Sequence, residues 1–329
     1  MSLKVGGLFA GTAALERAVQ MVFPDAAPAW FVEFDAGPSA VLAHHYPDVP
    51  NYGDVTQVDW SEVEPIDMLT GGSPCQDLSV AGARKGMSEG TRSNLWVNMR
   101  EAIAQLQPKL VLWENVQGAL SARATSESDM EPGHGLLGDA AGGHLRALGR
   151  VLGDLASLGY DARWATLRAS DVGAAHHRAR VFVVAYPASD GLQAQRLSRR
   201  PGAQVAVTDD GELLLPNSAD NRHEWPDSAR DGRNGSAYGS TRVDVFGKYA
   251  PAVAQWERVI GRPAPAPAQV NAKGNRQLDA RFAEWLMGLP PGWVTDVPGL
   301  SRSAQLRMLG NGCVPLQAAA AALAYLLSF

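Results

Sequence analysis

Short apolar runs alternate with helix-like stretches through the first 187 residues, and this alternation constrains the fold more than any other feature. Lys4-Val5-Gly6-Gly7-Leu8-Phe9 reads as a buried strand. Thr12 to Val22 carries Ala14, Leu15, Ala18, Val19 and Val22 at helical spacing, and Pro24 stops it. Trp30 to Glu33 reads as a second strand and Ala36 to His45 as a second helix. Ile66 to Thr70 follows as a strand closed by Gly71-Gly72, then a helix over Leu95 to Leu106 and a strand over Leu110 to Trp113. Leu145 to Leu158 is helical, and Arg163 to Leu167 and Val181 to Ala185 are later strands, close enough to form an antiparallel hairpin at one edge. Strands separated by crossover helices imply an α/β fold with a mainly parallel sheet covered on both faces.

The texture changes near Pro187. From there to about Gln269 the chain is rich in Gly, Pro, Ser, Asp and Arg, and an irregular region is expected. Arg262-Pro263-Ala264-Pro265-Ala266-Pro267 reads as an extended linker. Regular helices are expected again at Asp279 to Met287 and Pro315 to Leu327. With 329 residues and 46% hydrophobic content, about two domains and a substantial core are expected. Two cysteines, Cys75 and Cys313, cannot make a disulfide framework or a four-cysteine zinc site. No apolar run reaches about 18 residues, and the N-terminus lacks a signal-peptide core, so a cytoplasmic protein with no membrane partner is expected. The net charge of −5 argues against bulk nucleic-acid binding.

Five segments could carry chemistry. Gly7 to Thr12 sits at a strand-to-helix turn, with Glu33 22 positions after Gly11 at the end of the next strand. That suits a carboxylate holding ribose hydroxyls, although the turn is not G-x-G-x-x-G and a solvent-facing Glu would look the same. Gly71-Gly72-Ser73-Pro74-Cys75-Gln76 puts a thiol at the carboxyl end of a strand, where ligands bind in open sheets. Taken singly, Cys75 reads equally as a nucleophile or as a buried structural cysteine. Glu114, in Trp113-Glu114-Asn115-Val116, stands at the same edge beside apolar neighbours and reads as a proton-exchanging group or a strand-end cap. Arg178 and Arg180, two apart in extended chain, point the same way and suit a phosphate, carboxylate or base edge. Gly310-Asn311-Gly312-Cys313-Val314-Pro315 precedes the last helix. His176-His177 lacks metal-site spacing, and no metal is expected.

Taken in order, these segments resemble the motifs of the DNA cytosine-5 methyltransferases, from about residue 5 to residue 320. The Pro74-Cys75-Gln76 and Glu114-Asn115-Val116 pair is the most specific part. The resemblance implies a Rossmann-like fold, S-adenosyl-L-methionine as cofactor, double-stranded DNA as partner and a monomer. It implies a cofactor pocket lined by Phe9, Gly11 and Thr12, with Glu33 on the ribose, Phe34 packed on adenine, and Asp54 and Val55 at the adenine edge. Leu95, Asn311, Gly312 and Cys313 complete the lining. Cys75 becomes the nucleophile on cytosine C6, Glu114 the group on ring N3, and Arg180, supported by Arg178, the group on the ring carbonyl. Domains are expected at 1–186 with 303–329 (catalytic) and at 187–302 (target recognition). Arg276 to Trp293 resembles the motif that organises the recognition domain, and Asp77 to Thr91 is a candidate lid.

This sequence departs from the pattern in three places. The family usually opens with Asp-Leu-Phe-Ser-Gly and two further glycines; here Gly7 replaces the Asp, and Ala13-Ala14 replace the glycines. His176 stands where the family has a Gln. The resemblance leaves open an RNA substrate, a binding-only protein and, remotely, a nicotinamide oxidoreductase. A cognate restriction endonuclease is not evident from the sequence.

Overall fold

The computed structural model describes residues 2–73, 95–120, 147–190 and 245–326, plus two-residue strand pairs at 123–124 with 145–146 and 206–207 with 213–214. Its centre is a six-stranded sheet. The strands are β1 (Lys4–Leu8), β2 (Ala27–Val32), β3 (Met68–Gly71), β4 (Leu110–Val116), β5 (Tyr160–Arg168) and β6 (Ala179–Pro187), in the order β2-β1-β3-β4-β6-β5. The first four are parallel; β6 runs antiparallel to both β4 and β5. The expected edge hairpin is therefore present, and its inner strand lies against the Glu-Asn-Val strand. The order reverses at β1, where the chain steps first to β2 and later to β3. Such a switch point opens a crevice at the carboxyl ends of the strands.

Alternating residues feed two cores. Val5, Met68, Leu110, Leu112, Phe182 and Val184 face one side and pack with α1 (Ala14–Val22) and the C-terminal helix Pro315–Leu326. Leu8, Leu69, Val111, Trp113, Val181 and Val183 face the other and pack with α3 (Trp96–Leu106) and α4 (Ala147–Ser157). This period of two is why these strands read as continuous apolar runs. The other helix of the first half, α2 (Ala36–His45), begins after Asp35 as expected. Gly6 is fixed by close packing: a Cβ there would meet the Trp30 ring at 2.3 Å.

Beyond residue 244 the structure is more regular than the sequence suggests. Residues Ala250–Ile260 form α5, where an irregular stretch was expected. Pro251 lies in its first turn, which a helix tolerates, and Gly261 ends it at φ 69°. Val253 and Trp256 supplied the helical spacing, masked by the surrounding Gly and Pro. Arg262 to Pro267 is not a free linker either. The Arg262 guanidinium is largely buried and donates to the Leu289 carbonyl, and Ala264 N donates to Glu257 Oε1 at 2.8 Å. The hairpin β7 (Ala268–Val270) and β8 (Arg276–Leu278), then α6 (Ala280–Leu286), α7 (Arg302–Asn311) and α8 (Pro315–Leu326) complete the chain. Val253, Trp256, Phe282, Trp285, Met287, Leu289 and Val294 belong to the same core as Val5 and Leu112. The described C-terminal part of the expected second domain thus has no separate core.

Candidate active site

The turn from β1 into α1 carries three left-handed residues in five: Phe9 (φ 52°), Gly11 (φ 57°) and Ala13 (φ 59°). For a residue with a Cβ this conformation costs about 1–2 kcal/mol, so the turn must be held from outside. Phe9 N donates to the Val32 carbonyl at 2.8 Å, Gly11 N to Glu33 Oε2 at 2.8 Å, and Trp293 Nε1 to the Thr12 carbonyl at 2.7 Å. Trp293 is clamped in turn, with His45 stacked at 3.7 Å and the Arg17 guanidinium 4.3 Å from its ring centre. Trp293 ends the Arg276-to-Trp293 segment, but nothing in that segment signals a contact with Thr12, 281 residues away.

This turn walls a cavity of about 540 Å³ at the switch point. The cavity lining includes Phe9, Gly11, Thr12, Glu33, Phe34, Asp54, Val55, Leu95, Glu114, Arg180, Asn311, Gly312 and Cys313. These are the residues singled out from the sequence, except Cys75 and Arg178. Gly72, Ser73, Asn115, Arg307 and Met308 join them. Cys75 and the candidate lid, Asp77 to Thr91, lie outside the described residues. Trp256 of α5 is fully buried, and its Nε1 donates to the Trp285 carbonyl.

Each end of the cavity has its own chemistry. At one end Glu33 is oriented by two backbone amides, Gly11 N and Asp35 N, at 2.8 and 2.9 Å. Burial pushes its carboxyl up and these donors pull it back down. Phe34 beside it is 75% exposed, an aromatic face with little covering it. Asp54 caps the short turn Val55–Gln57 by accepting from Thr56 N at 3.0 Å. A paired diol and a flat heterocycle match this set, so the residues present fit S-adenosylmethionine.

At the other end Glu114 of β4 and Arg180 of β6 form an ion pair, with Arg180 Nε 2.7 Å from Glu114 Oε1. Val116 is the direct partner of Arg180 across the ladder, so Glu114 reaches it diagonally. Burial raises the Glu114 carboxyl, and Arg180 and then Arg178 oppose the rise. Glu114 Oε2 faces the backbone of Gly72, where a Cβ would stand 3.0 Å away, so glycine keeps that approach open. Arg178 does something different. Its Nη2 donates to the Gly310 carbonyl at 2.7 Å and also to the Gly312 carbonyl. It braces the turn carrying Asn311 and Cys313, and burial pushes its guanidinium down to about 10. His176, in the family's Gln position, bonds the Leu286 carbonyl at 3.1 Å.

Sequence reasoning missed the partners that fix the strand ends. Asn115 Nδ2 donates to Ser73 O at 3.3 Å and to Ser73 Oγ at 3.2 Å, and Trp113 Nε1 reaches Ser73 Oγ at 3.2 Å. Ser73 stands two residues before Cys75, so Asn115 ties the Glu-Asn-Val strand to the root of the Pro-Cys-Gln segment. Only its adjacency to Glu114 hinted at this.

Sheet and site together define a doubly wound α/β domain with a nucleoside-type pocket leading to a buried carboxyl–guanidinium pair. The chain belongs to the C-5 cytosine-specific DNA methylase family, whose sequence pattern matches residues 3–325. A phage P1 protein named DNA N-6-adenine-methyltransferase is 33% identical over 195 residues, covering 50% of this chain and 26% of that one. Type II methyltransferase M.CviJI of Paramecium bursaria Chlorella virus IL3A is 31% identical over 186 residues, 56% of this chain and 43% of its own. The chain thus spans less than half the length of these relatives. The crystal structure of S. pombe Dnmt2 methyltransferase matches 99% of this chain and 98% of its own at TM-score 0.58 and 15% identity, a likeness of fold. Among the described residues no helix is long and apolar enough to cross a membrane.

Proposed function

We propose that this protein is a DNA cytosine-5 methyltransferase that uses S-adenosyl-L-methionine and acts on a cytosine flipped out of duplex DNA. The observation that carries this reading is the Glu114–Arg180 pair on the wall of the same cavity that Glu33 and Phe34 line. Family membership supports it. When bound, S-adenosylmethionine supplies an electrophilic methyl group on a sulfonium. The chain's residues make cytosine able to accept it.

Carbon 5 of cytosine is a weak nucleophile. Attack of the Cys75 thiolate on C6 turns the ring into an enamine and activates C5. Glu114 holds ring N3 and the exocyclic amine, and its raised carboxyl suits sharing a proton as the ring loses aromaticity. Arg180 binds the ring carbonyl and holds Glu114 in place. Arg178 acts as a positioning residue through the Gly310–Gly312 turn. After methyl transfer, loss of the C5 proton and expulsion of Cys75 restore aromaticity. The target atom lies within the base stack of a duplex, so the nucleotide must be flipped into the cavity. We assign target recognition to residues 187–302 and the chemistry to residues 1–186 and 303–329.

The phage P1 relative's name raises adenine N6 as a second reading. An exocyclic amine carries its own lone pair and needs no thiolate addition to a ring carbon. Cys75 in Pro-Cys-Gln and the carboxyl–guanidinium pair suit carbon methylation instead. An RNA substrate remains the nearer alternative. Tritiated S-adenosylmethionine offered with duplex DNA, tRNA and each purified variant decides. Label is expected in 5-methylcytosine of DNA and absent with Cys75→Ala. Label in N6-methyladenine or in tRNA alone would overturn the assignment.

A further inference from the structure

Behind the cavity lining lies a carboxyl group that the proposed reaction does not use. Glu16, in the first turn of α1, is 1% exposed. Thr70 Oγ1 donates to its Oε1 at 2.7 Å, while its Oε2 is shielded from solvent with no hydrogen-bond partner. An unpartnered buried carboxyl oxygen is costly, which points to a ligand charge that offsets the cost when the cavity fills. Ala14 and Leu15, its neighbours on the helix, line the cavity.

The position of this carboxyl is informative. Gly7 lies in β1 between Phe31 of β2 and Thr70 of β3. A Cβ on Gly7 would stand 2.3 Å from Glu16 Oε1. Position 7 is where this chain departs from the Asp of Asp-Leu-Phe-Ser-Gly. The acidic group missing from the strand is therefore supplied from the helix, nine residues later, into the same space.

We propose that Glu16 is a positioning counter-charge that makes the site favour a cationic S-adenosyl ligand over its neutral thioether product. This rests on the cofactor assignment above. S-adenosylmethionine and S-adenosylhomocysteine share the adenosine, ammonium and carboxylate groups and differ by the methyl group and its positive charge on sulfur. A carboxylate shielded from water acts over several ångströms, so Glu16 need not touch the ligand to tell the two apart. The titratable groups that interact with it are Glu33 after β2, Tyr46 after α2 and Cys313 between α7 and α8; the adjacent Arg17 turns to Tyr46 instead. Arg17 carries its charge over the Trp293 ring. Burial holds the Glu16 carboxyl up at about 7. Below that pH, binding of the cation releases the carboxyl proton to solvent, and loss of the sulfonium charge on methyl transfer takes it back.

Calorimetric titration of the full chain with each ligand between pH 6.0 and 7.2 tests this. S-Adenosylmethionine is expected to gain affinity with pH relative to S-adenosylhomocysteine, with proton release in excess of that for the product. Glu33 is raised too, but it meets the ribose of both ligands and drops out of the ratio. Glu16→Gln keeps an acceptor for Thr70 but cannot ionise, and should weaken S-adenosylmethionine about tenfold while leaving the product unchanged. Gly7→Asp combined with Glu16→Ala should restore the preference. Equal loss for both ligands, or a wild-type ratio flat with pH, would overturn the proposal. If Glu16→Gln fails to fold, the wild-type pH profile decides. Failure of wild type to bind either ligand would refute the cofactor assignment itself.

Discussion

Two buried carboxyl groups carry separate burdens. Glu114 is opposed by two arginines, and the proposed reaction assigns its acid–base chemistry to turnover. Glu114→Gln keeps the size and loses the exchangeable proton, so methyl transfer should fall about 100-fold or more with cofactor affinity unchanged. Equal turnover in a single-turnover assay would remove Glu114 from the reaction. Glu16 has no cation bonded to it among the described residues, and its burden is on folding. Its folded carboxyl is raised from 4.5 to about 7, so the folded state binds the proton more tightly than the unfolded one. The associated stability is full below about pH 4.5, is lost as pH rises toward 7, and is flat above it, a change of about 3 kcal/mol. Urea midpoints of the ligand-free protein across that window should fall with pH, and Glu16→Gln should make that slope shallower, with the raised Glu33 and Glu114 carboxyls supplying what remains. Parallel slopes in both proteins would contradict the assignment.

At the scale of elements, the strands were legible because both sheet faces are covered, which makes each strand a dense apolar run. The cavity-lining residues were legible because their motifs sit at strand ends, and the sheet brings those strand ends to one edge. What stayed hidden depends on long-range contact. Trp293 on Thr12, Arg178 on the Gly310–Gly312 turn and Glu16 in the space beside Gly7 pair residues with no mutual spacing rule. Helix α5 was hidden for a local reason, since its Pro251 and flanking glycines outweigh the spacing of Val253 and Trp256. Its packing gives a sharp test. Gly288 adopts φ 69°, and a Cβ there would meet the Trp256 ring at 2.9 Å. Gly288→Ala combines left-handed strain with overpacking and should destabilise by about 2–4 kcal/mol. A cost under about 0.5 kcal/mol in chemical denaturation would show that α5 packs differently.

For the whole molecule, charge divides near the expected domain boundary, whereas the core crosses it. Residues 1–187 hold 14 basic and 21 acidic side chains, whereas residues 188–281 hold 13 basic and 11 acidic. The net of −5 therefore belongs to residues 1–187, and the segment proposed to face DNA is weakly basic. Local arginine–phosphate contacts can position a duplex without a basic total. Residues from Val253 to Val297 share the main core, so they should unfold together with the sheet. Amide exchange in α5 and β4 should report the same opening free energy; a much lower value for α5 would separate the two. The central claim is covalent catalysis by Cys75 on a flipped cytosine. It is tested most directly by incubating the protein with S-adenosylmethionine and duplex DNA carrying 5-fluorocytosine at the recognised site, followed by peptide mapping. The account predicts a stable adduct joining Cys75 to C6 of the methylated ring, because a base can remove a proton from C5 but cannot remove fluorine as a cation. An adduct at Cys313, or methylation of ordinary DNA by a Cys75→Ala protein, would contradict it.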